Sequence, residues 1–302
     1  MRAPLDVSLA GRHLTRIRDL APAEADAVLD LALALKRDGR GAPRLPGLAL
    51  GLLFTKPSTR TRVSFAVAAV QLGGAAIPLQ PEELQLSRGE SLADTARVLS
   101  RFLDAIAIRT GPQDEVDAWA DAASIPVVNA LTDAEHPCQA LADALTIRER
   151  FDGTDGVRIA WVGDGSNVCV SLAELAPMLG MQMVVAAPTG YEPAANVEVT
   201  RDPREAAAGA DVLVTDAWTS MGQEAEAEER RDAFATYRVD DALLDAAGPD
   251  AVVMHCLPAH RGEEITSSVM DGPRSLIWEQ SENRLHVQKA LLVELLGGLS
   301  AA

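Results

Sequence analysis

A cluster of hydroxyl and guanidinium side chains near residue 60 could bind an anion. Residues Ser58–Arg62 hold three hydroxyls and two guanidiniums, directly after the apolar run Leu48–Thr55 with Lys56-Pro57 between them. If this segment begins a helix, free backbone N–H groups and the positive end of the helix dipole face the same point. Two arginines in a first turn oppose that dipole unless an anion binds there. The pattern therefore favours a phosphate dianion site over the alternative, a Ser-capped helix with solvent-facing arginines.

Two further polar positions could act on a carbonyl group. Arg109 follows the apolar run Ala105–Ile108, and His136 precedes Pro137 at the start of a predicted helix. The positive end of that helix would hold His136 neutral, as a hydrogen-bond donor to a carbonyl oxygen. Taken alone, a surface arginine is an equally good interpretation of Arg109, and a packed histidine at a helix start is the better interpretation of His136.

Two later loops offer groups for an amino-acid ligand. Gly163-Asp164-Gly165-Ser166-Asn167 follows an apolar run, but it lacks the third glycine of a dinucleotide-binding fingerprint. We interpret it as a tight turn that presents Asn167. Asp216 follows another apolar run and offers a carboxylate to an ammonium group; an incidental acid is the alternative.

Cys256 lies next to His255, a pairing that invites a nucleophile or a metal site. Adjacent strand residues point to opposite faces, so we do not expect His255 to activate the thiol. No second Cys or His pair stands at zinc-ligand spacing, and we predict no metal. Farther on, Ser281–Arg284 is predicted to open the last helix, capped by Ser281 or Asn283, with Arg284 available to a ligand.

Short apolar runs alternate with amphipathic stretches, the pattern of parallel strands connected by helices. The predicted strands are Leu48–Thr55, Ala75–Leu79, Ala105–Arg109, Ile125–Asn129, Val157–Val162, Met183–Ala187, Asp211–Thr215, Ala251–His255 and Ser275–Trp278. The predicted helices are Ser58–Leu72, Ser91–Phe102, Asp114–Ala122, His136–Phe151, Val168–Leu179, Arg204–Ala208, Asp240–Ala247 and Glu282–Leu296. We predict an α/β protein of two lobes, each a parallel sheet flanked by helices, linked by bridging helices, with the active site in the cleft at the carboxyl ends of the strands.

The composition excludes several classes of protein. The chain has 302 residues and a net charge of −17, which argues against nucleic-acid or membrane-surface partners. It contains no uninterrupted apolar stretch of about 18 residues and no apolar signal core near its beginning. Its three cysteines fit a reduced cytoplasm. Only three of the 27 basic residues are lysine, which indicates either salt adaptation or a nucleotide-composition bias.

Four ordered motifs carry a resemblance to the aspartate and ornithine carbamoyltransferases, in register from about Leu14 to Leu296. Phe54–Phe65 (FTKPSTRTRVSF) resembles their phosphate-binding motif, and His136–Asp143 (HPCQALAD) resembles the second shared motif. Asp216–Gly222 (DAWTSMG) and His255–Pro258 (HCLP) are similar to the amino-acid and cysteine loops of the ornithine branch. Ser166 departs from the pattern, since many members have a second asparagine there, and Val170 stands where many have a polar residue.

The resemblance implies a role for each matching residue. It places the carbamoyl phosphate site at Ser58, Thr59, Arg60, Thr61, Gln85, Arg109, His136, Gln139, Cys256, Leu257 and Arg284. It places L-ornithine at Asn167, Asp216, Ser220 and Met221. The implied catalytic residues are Arg109, His136, Cys256 and Arg284. Arg109 and His136 would polarise the carbonyl, Gln139 would orient the carbamoyl amide, and Arg284 would contact the carbamoyl oxygen. Cys256 and the Leu257 carbonyl would lie beside the attacking δ-amine.

The resemblance also implies an organisation and a reaction. Residues 1–135, joined by the helix 282–296, would bind carbamoyl phosphate, and residues 136–281 would bind L-ornithine. The family forms homotrimers, in which Gln85 would reach the phosphate of a neighbouring subunit. The implied reaction yields L-citrulline in arginine metabolism, with biosynthesis as the expected direction, in the cytoplasm and without a cofactor. Putrescine or N-acylornithine carbamoylation, an NAD-dependent dehydrogenase and an inactive binding paralogue remain alternatives.

Overall fold

The computed structural model describes residues 8–39, 41–219 and 224–297, which form two compact units. The first unit contains the described residues up to Ala142 and those from Arg284 onward. The second unit is Asp143–Asn283. Both boundaries fall inside long helices, whereas the sequence analysis places them at residues 136 and 282.

The first unit is built on a four-stranded parallel sheet with the strand order β2-β1-β3-β4. Its strands are β1 (Ala49–Phe54), β2 (Ala75–Leu79), β3 (Ala105–Arg109) and β4 (Val127–Leu131). Its helices are α1 (Pro22–Asp38), α2 (Arg60–Leu72), α3 (Leu92–Leu99) and α4 (Gln113–Ala122), with short 3-10 turns at Ile17–Asp19 and Gln85–Arg88. Every residue of β3 is buried, as expected of a strand covered on both faces.

The second unit is built on a five-stranded parallel sheet with the strand order β7-β6-β5-β8-β9. Its strands are β5 (Arg158–Val162), β6 (Gln182–Ala186), β7 (Glu198–Thr200), β8 (Val212–Thr215) and β9 (Val252–His255). Its helices are α6 (Asn167–Met178), α7 (Pro203–Ala207), α8 (Ala227–Phe234), α9 (Asp241–Ala247) and α10 (Ser267–Met270), with a 3-10 turn at Glu224–Glu226. Phe234 anchors part of its core, since it stacks on Trp218 at 5.9 Å and meets Tyr191 at 4.8 Å between ring centroids.

Each sheet reverses its strand order at one place, and such places bind ligands in open α/β sheets. In the first unit the reversal lies between β1 and β3, and in the second it lies between β5 and β8. Phe54 pairs with Arg109 across β1 and β3, so the loops that follow these strands begin side by side. Several of the predicted site residues lie at or directly after these four strands, namely Ser58, Thr59, Arg60, Thr61, Arg109, Asn167 and Asp216.

Two helices cross the boundaries of the units, α5 (Pro137–Phe151) and α11 (Ile277–Leu295). The predicted strand Ser275–Trp278 is wrong, because only Ser275 forms a bridge, to Val253, and the chain turns helical at Ile277. The predicted caps Ser281 and Asn283 are therefore wrong as well. Asn283 lies inside α11, where its Nδ2 donates to Thr146 Oγ1 at 2.9 Å.

The α/β class with two parallel sheets flanked by helices is confirmed. The sequence analysis missed α1, β7, α8 and α10. In the parts of the chain that the structure describes, no helix combines the length and the apolar character needed to cross a membrane.

Candidate active site

The loop after β1 leads into α2 without a side-chain cap. Thr59 is the N-cap residue of α2, and its side chain accepts no hydrogen bond from the first turn. Ser58 and Arg60 are half-buried, Thr59 is exposed and Thr61 is buried. The Ser-capped alternative is therefore absent from this described loop. What remains is a helix N-terminus with hydroxyls and a guanidinium around it, the composition of an anion site.

Arg284 connects α11 to two predicted phosphate-site residues of the first unit. Its Nη2 donates to Thr61 Oγ1 and lies 3.4 Å from His136 Nε2. Both Arg284 and His136 are buried. The structure thus brings together residues from α2, from α11 and from the segment that precedes α5.

His136 is held neutral by its surroundings. Burial lowers its pKa well below 6.5, and the positive charges of Arg284 and then Arg109 lower the pKa further. The sequence analysis expects a neutral imidazole because of the helix end, but burial is the larger cause. At neutral pH the ring therefore keeps one N–H and one lone pair.

Arg109 is the last residue of β3, and a hydrogen bond to its carbonyl holds its backbone in place. The Arg109 carbonyl accepts from Thr55 N at 2.9 Å, which ties the ends of β1 and β3 together. The side chain is only 7% exposed. Thr110 Oγ1 in turn donates to Glu115 Oε2 at 2.5 Å. The Thr110 hydroxyl contact was not identified from the sequence, because threonine after a strand carries no distinctive pattern.

The two predicted glutamines lie in different settings. Gln139 is buried in the first turn of α5, where its N–H donates to the His136 carbonyl at 3.0 Å. Gln85 is exposed on its 3-10 turn, and its Oε1 accepts from Arg88 Nη1 at 3.3 Å. Among the described residues, no hydrogen bond joins Gln85 to the other predicted phosphate ligands.

The turn after β5 is shaped by close packing of its second glycine. A Cβ on Gly165 would lie 2.2 Å from Pro193 N, so the backbone approach excludes any larger residue. This contact explains the G-x-G spacing without a dinucleotide. Asn167 follows as the first residue of α6 and is half-buried.

Asp216 and Cys256 meet at the carboxyl ends of β8 and β9. Cys256 Sγ donates to Asp216 Oδ1 at 2.9 Å, and Ser166 Oγ donates to Asp216 Oδ2 at 3.2 Å. Thr215 pairs with His255 across the two strands, which brings the following residues side by side. The structure therefore joins the two loops that the sequence analysis treats separately. Predicted ligands Ser220 and Met221 lie outside the described residues.

The expectation that His255 and Cys256 point to opposite faces is wrong, whereas the expectation that His255 does not activate the thiol stays a prediction. One ring nitrogen of His255, Cys256 Sγ and an Asp216 carboxylate oxygen lie within 4.8 Å of one another, because Cys256 follows the last residue of β9 and no longer alternates with it. Both ring nitrogens of His255 are nevertheless engaged elsewhere. Nδ1 accepts from Leu257 N at 2.9 Å, and Nε2 lies 3.1 Å from Glu264 Oε1.

Leu257 adopts an unusual backbone conformation beside Cys256. Its φ is +62°, in the left-handed region that non-glycine residues rarely occupy, and the peptide bond to Pro258 is cis. The contact with His255 Nδ1 fixes its N–H. Buried His255 thus anchors the backbone of the residue that bears this carbonyl through its N–H.

Two trios of side chains have the composition of metal ligands, namely Asp216, His255 and Cys256, and His260, Glu263 and Glu264. In the first trio the thiol donates to the carboxylate. In the second trio Glu264 already accepts from His260 N and faces His255. The absence of a metal requirement stays a prediction.

Arg230 on α8 is a buried cation that the sequence analysis did not identify. Its Nη1 donates to Asp164 Oδ2 at 3.1 Å and to the Trp218 carbonyl at 2.8 Å, and its guanidinium lies 4.9 Å from the centre of the Tyr191 ring. Burial raises the pKa of Asp164 to about 6, although the charge of Arg230 opposes this. The available signal was the spacing of Arg230 and Phe234, which share a helix face at i and i+4.

Comparisons with known proteins cover nearly the whole chain. Residues 12–149 match the family described as aspartate/ornithine carbamoyltransferase, carbamoyl-P binding domain. Residues 155–295 match the aspartate/ornithine carbamoyltransferase, Asp/Orn binding domain.

Named relatives and solved structures agree with these matches. The chain is 54% identical to the ornithine carbamoyltransferase of Thermosynechococcus vestitus, over 96% of this chain and 97% of that one. It is also 54% identical to that of Acidothermus cellulolyticus, over 94% of this chain and 96% of the relative. The structure of ornithine carbamoyltransferase from Pyrococcus furiosus superimposes with a TM-score of 0.93 at 48% identity, covering 97% of this chain and all of that one.

Proposed function

The chain belongs to the aspartate/ornithine carbamoyltransferase family, and we propose that it transfers the carbamoyl group of carbamoyl phosphate to the δ-amine of L-ornithine, giving L-citrulline and phosphate. The observation that carries this proposal is the match of more than nine-tenths of the chain to relatives named ornithine carbamoyltransferase. The positions of the motifs Phe54–Phe65 and Asp216–Gly222, which follow β1 and β8 next to the two reversals of strand order, support it.

The first unit binds carbamoyl phosphate in this proposal. The phosphate lies at the N-terminus of α2, held by Ser58, Thr59, Arg60 and Thr61. Arg284 is already fixed to Thr61 and contacts the carbamoyl oxygen. Gln139 orients the carbamoyl amide from the first turn of α5. A dianion placed here gains both the N–H groups of a helix end and the nearby guanidiniums.

The reaction is an acyl transfer between an anhydride and an amine. The neutral δ-amine attacks the carbonyl carbon, a C–N bond forms, and the carbonyl oxygen becomes an oxyanion. The bond between carbon and the phosphate oxygen then breaks, phosphate leaves with the electron pair, and the nitrogen loses a proton. Arg109 and neutral His136 donate to the developing oxyanion, where fixed donors contribute most. Phosphate is a good leaving group, so the proposal needs no metal and no covalent intermediate.

The second unit binds L-ornithine in this proposal. Asp216 receives the α-amino group, with Asn167, Ser220 and Met221 as further ligands. Cys256 and the Leu257 carbonyl lie beside the attacking amine, and the bond from Cys256 to Asp216 supports their common site. Asp216 together with Ser220, Met221 and Gly222 favours a free α-amino acid over putrescine, because putrescine has no α-carboxylate.

We further propose that copies of this chain assemble as a homotrimer. Among the described residues of the first unit, five large apolar side chains are exposed, namely Val63, Val70, Ile77, Val98 and Phe102, and Phe102 is 72% exposed. Strand β2 is at the edge of its sheet and none of its residues is fully buried. Parallel strands are ordinarily covered, so a second copy that packs on this face accounts for the exposure. Gln85 is exposed in the same unit and is available to a neighbour's phosphate.

The proposed reaction belongs to arginine metabolism, and we place it in the biosynthetic direction and in the cytoplasm. None of the cysteines Cys138, Cys169 and Cys256 forms a disulfide, which supports a reducing compartment. Light scattering of the purified chain tests the assembly, with a mass three times that of one chain as the expected result.

An acceptor panel tests the function. Purified protein is given carbamoyl phosphate with L-ornithine, putrescine, N-acetylornithine or L-aspartate, at low salt and in molar potassium chloride. The proposal predicts carbamoylated product with L-ornithine and little with the other amines. If only putrescine or only N-acetylornithine gives product, that amine is the substrate and the assignment of L-ornithine is wrong. If no acceptor gives product, the chain is an inactive paralogue.

A further inference from the structure

Ser166 occupies a helix-capping position without capping the helix. It is the N-cap residue of α6, with φ −61° and ψ 175°, and its side chain accepts no hydrogen bond from the first turn. Serine at an N-cap ordinarily accepts the N–H of the second or third helical residue. Its hydroxyl instead donates to Asp216 Oδ2 at 3.2 Å, across 50 residues of sequence. The ordinary structural explanation for a serine here therefore does not apply.

The Asp216 carboxylate is held by three donors. Oδ1 accepts from Ala217 N at 2.8 Å and from Cys256 Sγ at 2.9 Å, and Oδ2 accepts from Ser166 Oγ. A carboxylate offers about four lone-pair directions, so these bonds leave one on Oδ2. Asp216 is buried. Its carboxylate therefore offers a ligand one lone-pair direction, on Oδ2.

The fixed orientation matters for the ligand that Asp216 would bind. An ammonium group gains most from a carboxylate that is already aligned, because no side-chain rotation has to be frozen on binding. Of the two donors to Oδ1, the Cys256 thiol is a weak one, and Ala217 N belongs to the next residue in the chain. The bond from the Ser166 hydroxyl adds a donor to Oδ2 and so further restricts rotation of the carboxylate about its Cβ–Cγ bond.

We propose that Ser166 is a positioning residue for the amino-acid substrate: it fixes Oδ2 of Asp216 so that the remaining acceptor direction meets the substrate's α-ammonium group. This inference rests on the proposed function. Ser166 touches Asp216 and not the reacting atoms, so its effect falls on the binding of the amino acid. The binding of carbamoyl phosphate and the chemical step depend on it much less.

Steady-state kinetics of Ser166→Ala test the proposal. Loss of a hydrogen bond to a charged group predicts a rise of about tenfold in KM for L-ornithine. We expect kcat and the KM for carbamoyl phosphate to stay within about twofold. Ser166→Thr keeps the hydroxyl on a backbone that threonine tolerates, and it should restore the KM for L-ornithine to near that of the unmodified chain.

A matched control separates positioning from folding. Ser268 Oγ donates to the Asp241 carboxylate at 2.5 Å on the exposed surface of the same unit. Ser268→Ala removes the same kind of bond far from Asp216 in the sequence, and we expect no change in either KM. If Ser166→Ala lowers the melting temperature but leaves the KM for L-ornithine unchanged, Ser166 is only structural and the proposal is wrong.

A second readout reports the binding of the α-amino acid group alone. L-norvaline has the α-amino and α-carboxyl groups of L-ornithine but no terminal amine, so it should compete for the site. Ser166→Ala should weaken its inhibition by the same factor as the KM. An unmodified chain without carbamoyltransferase activity overturns the proposed function, whereas an active chain with equal L-norvaline inhibition in both forms overturns only the role of Ser166.

Discussion

Arg284 Nη2 lies 3.4 Å from His136 Nε2, although the two residues are 148 positions apart in the chain. A buried arginine stays charged, so its proximity adds to the effect of burial, which is the larger cause of the lowered pKa of His136. Burial and Arg284 together keep neutral the histidine that we propose as a donor to the oxyanion.

The depressed pKa of His136 makes stability fall on acidification. In the unfolded chain the ring takes up a proton below about its ordinary pKa of 6.5, while the folded chain resists protonation. The free energy of unfolding therefore decreases as pH drops through 6.5, by up to about 1.4 kcal/mol per pH unit from this group. Urea unfolding at pH 7.5 and at pH 5.5 measures this decrease in the free energy of unfolding. We expect His136→Gln to show a smaller loss, and equal losses would contradict the assignment.

The raised pKa of Asp164 has the opposite effect to that of His136, because it makes stability rise on acidification. The folded chain takes up this proton at a pH of about 6, whereas the unfolded chain does so near 3.8. Between these values protonation favours the folded state. Relative to Asp164→Asn, the unmodified chain should thus gain stability as pH falls from about 6 towards 4. A stability difference that stays constant over this range would show that Asp164 titrates normally.

The buried pair of Arg230 and Asp164 should matter far more than an exposed pair. Arg230→Ala leaves the Asp164 carboxylate buried without its partner, which in buried pairs costs about 3–5 kcal/mol. Arg261 bonds Asp271 with two contacts of 2.6 and 2.8 Å, but both side chains are exposed. We expect Arg261→Ala to change stability little. Urea unfolding of both variants at pH 7.5 compares their free energies of unfolding. Equal decreases in the two variants would refute the role of burial.

The attacking amine predicts a rate that rises with pH. The free δ-ammonium group has a pKa near that of lysine, about 10.4, and only the neutral amine can attack. The turnover of bound L-ornithine should therefore increase from about pH 6 towards pH 8–9. Measuring kcat at saturating substrates across this range tests the prediction. A flat profile would mean that deprotonation of the amine is not part of the chemical step.

The strands of the first unit were largely predictable, because each is a short apolar run of residues that ends at a turn. β2 and β3 have the predicted bounds, Ala75–Leu79 and Ala105–Arg109. The segment Ser275–Trp278 has the same composition but only one bridge partner, so it did not become a strand. Composition alone could not distinguish these outcomes, since pairing depends on neighbours remote in sequence.

Helix α1 was missed although its sequence carried a usable pattern. Pro22 stands at its start, and its buried residues, Ala25, Val28, Leu29, Ala32 and Leu35, recur at helical spacing. Helix α8 offered less, since only Arg230 and Phe234 are buried in it. An arginine on a buried face cannot be recognised before its partner, Asp164, is known to lie opposite.

In the candidate site, most residues could be predicted from the sequence, whereas the contacts between them could not. The motifs located most of its residues by type, because phosphate and amino-acid chemistry require hydroxyls, guanidiniums and a carboxylate. The contacts between them were not predictable, as the bonds of Asp216 to Cys256 and Ser166 illustrate. These bonds depend on which strands end next to each other.

The most direct test of the central claim is the turnover of Arg109→Gly with carbamoyl phosphate and L-ornithine. Arg109 is buried at the end of β3, beside His136, where we place the developing oxyanion. Removal of one such donor should lower kcat by about 10²–10³-fold. Arg97→Gly, which removes an exposed arginine paired with Asp94, is the matched control and should keep its turnover. A kcat of Arg109→Gly within a few-fold of the unmodified chain would contradict the account.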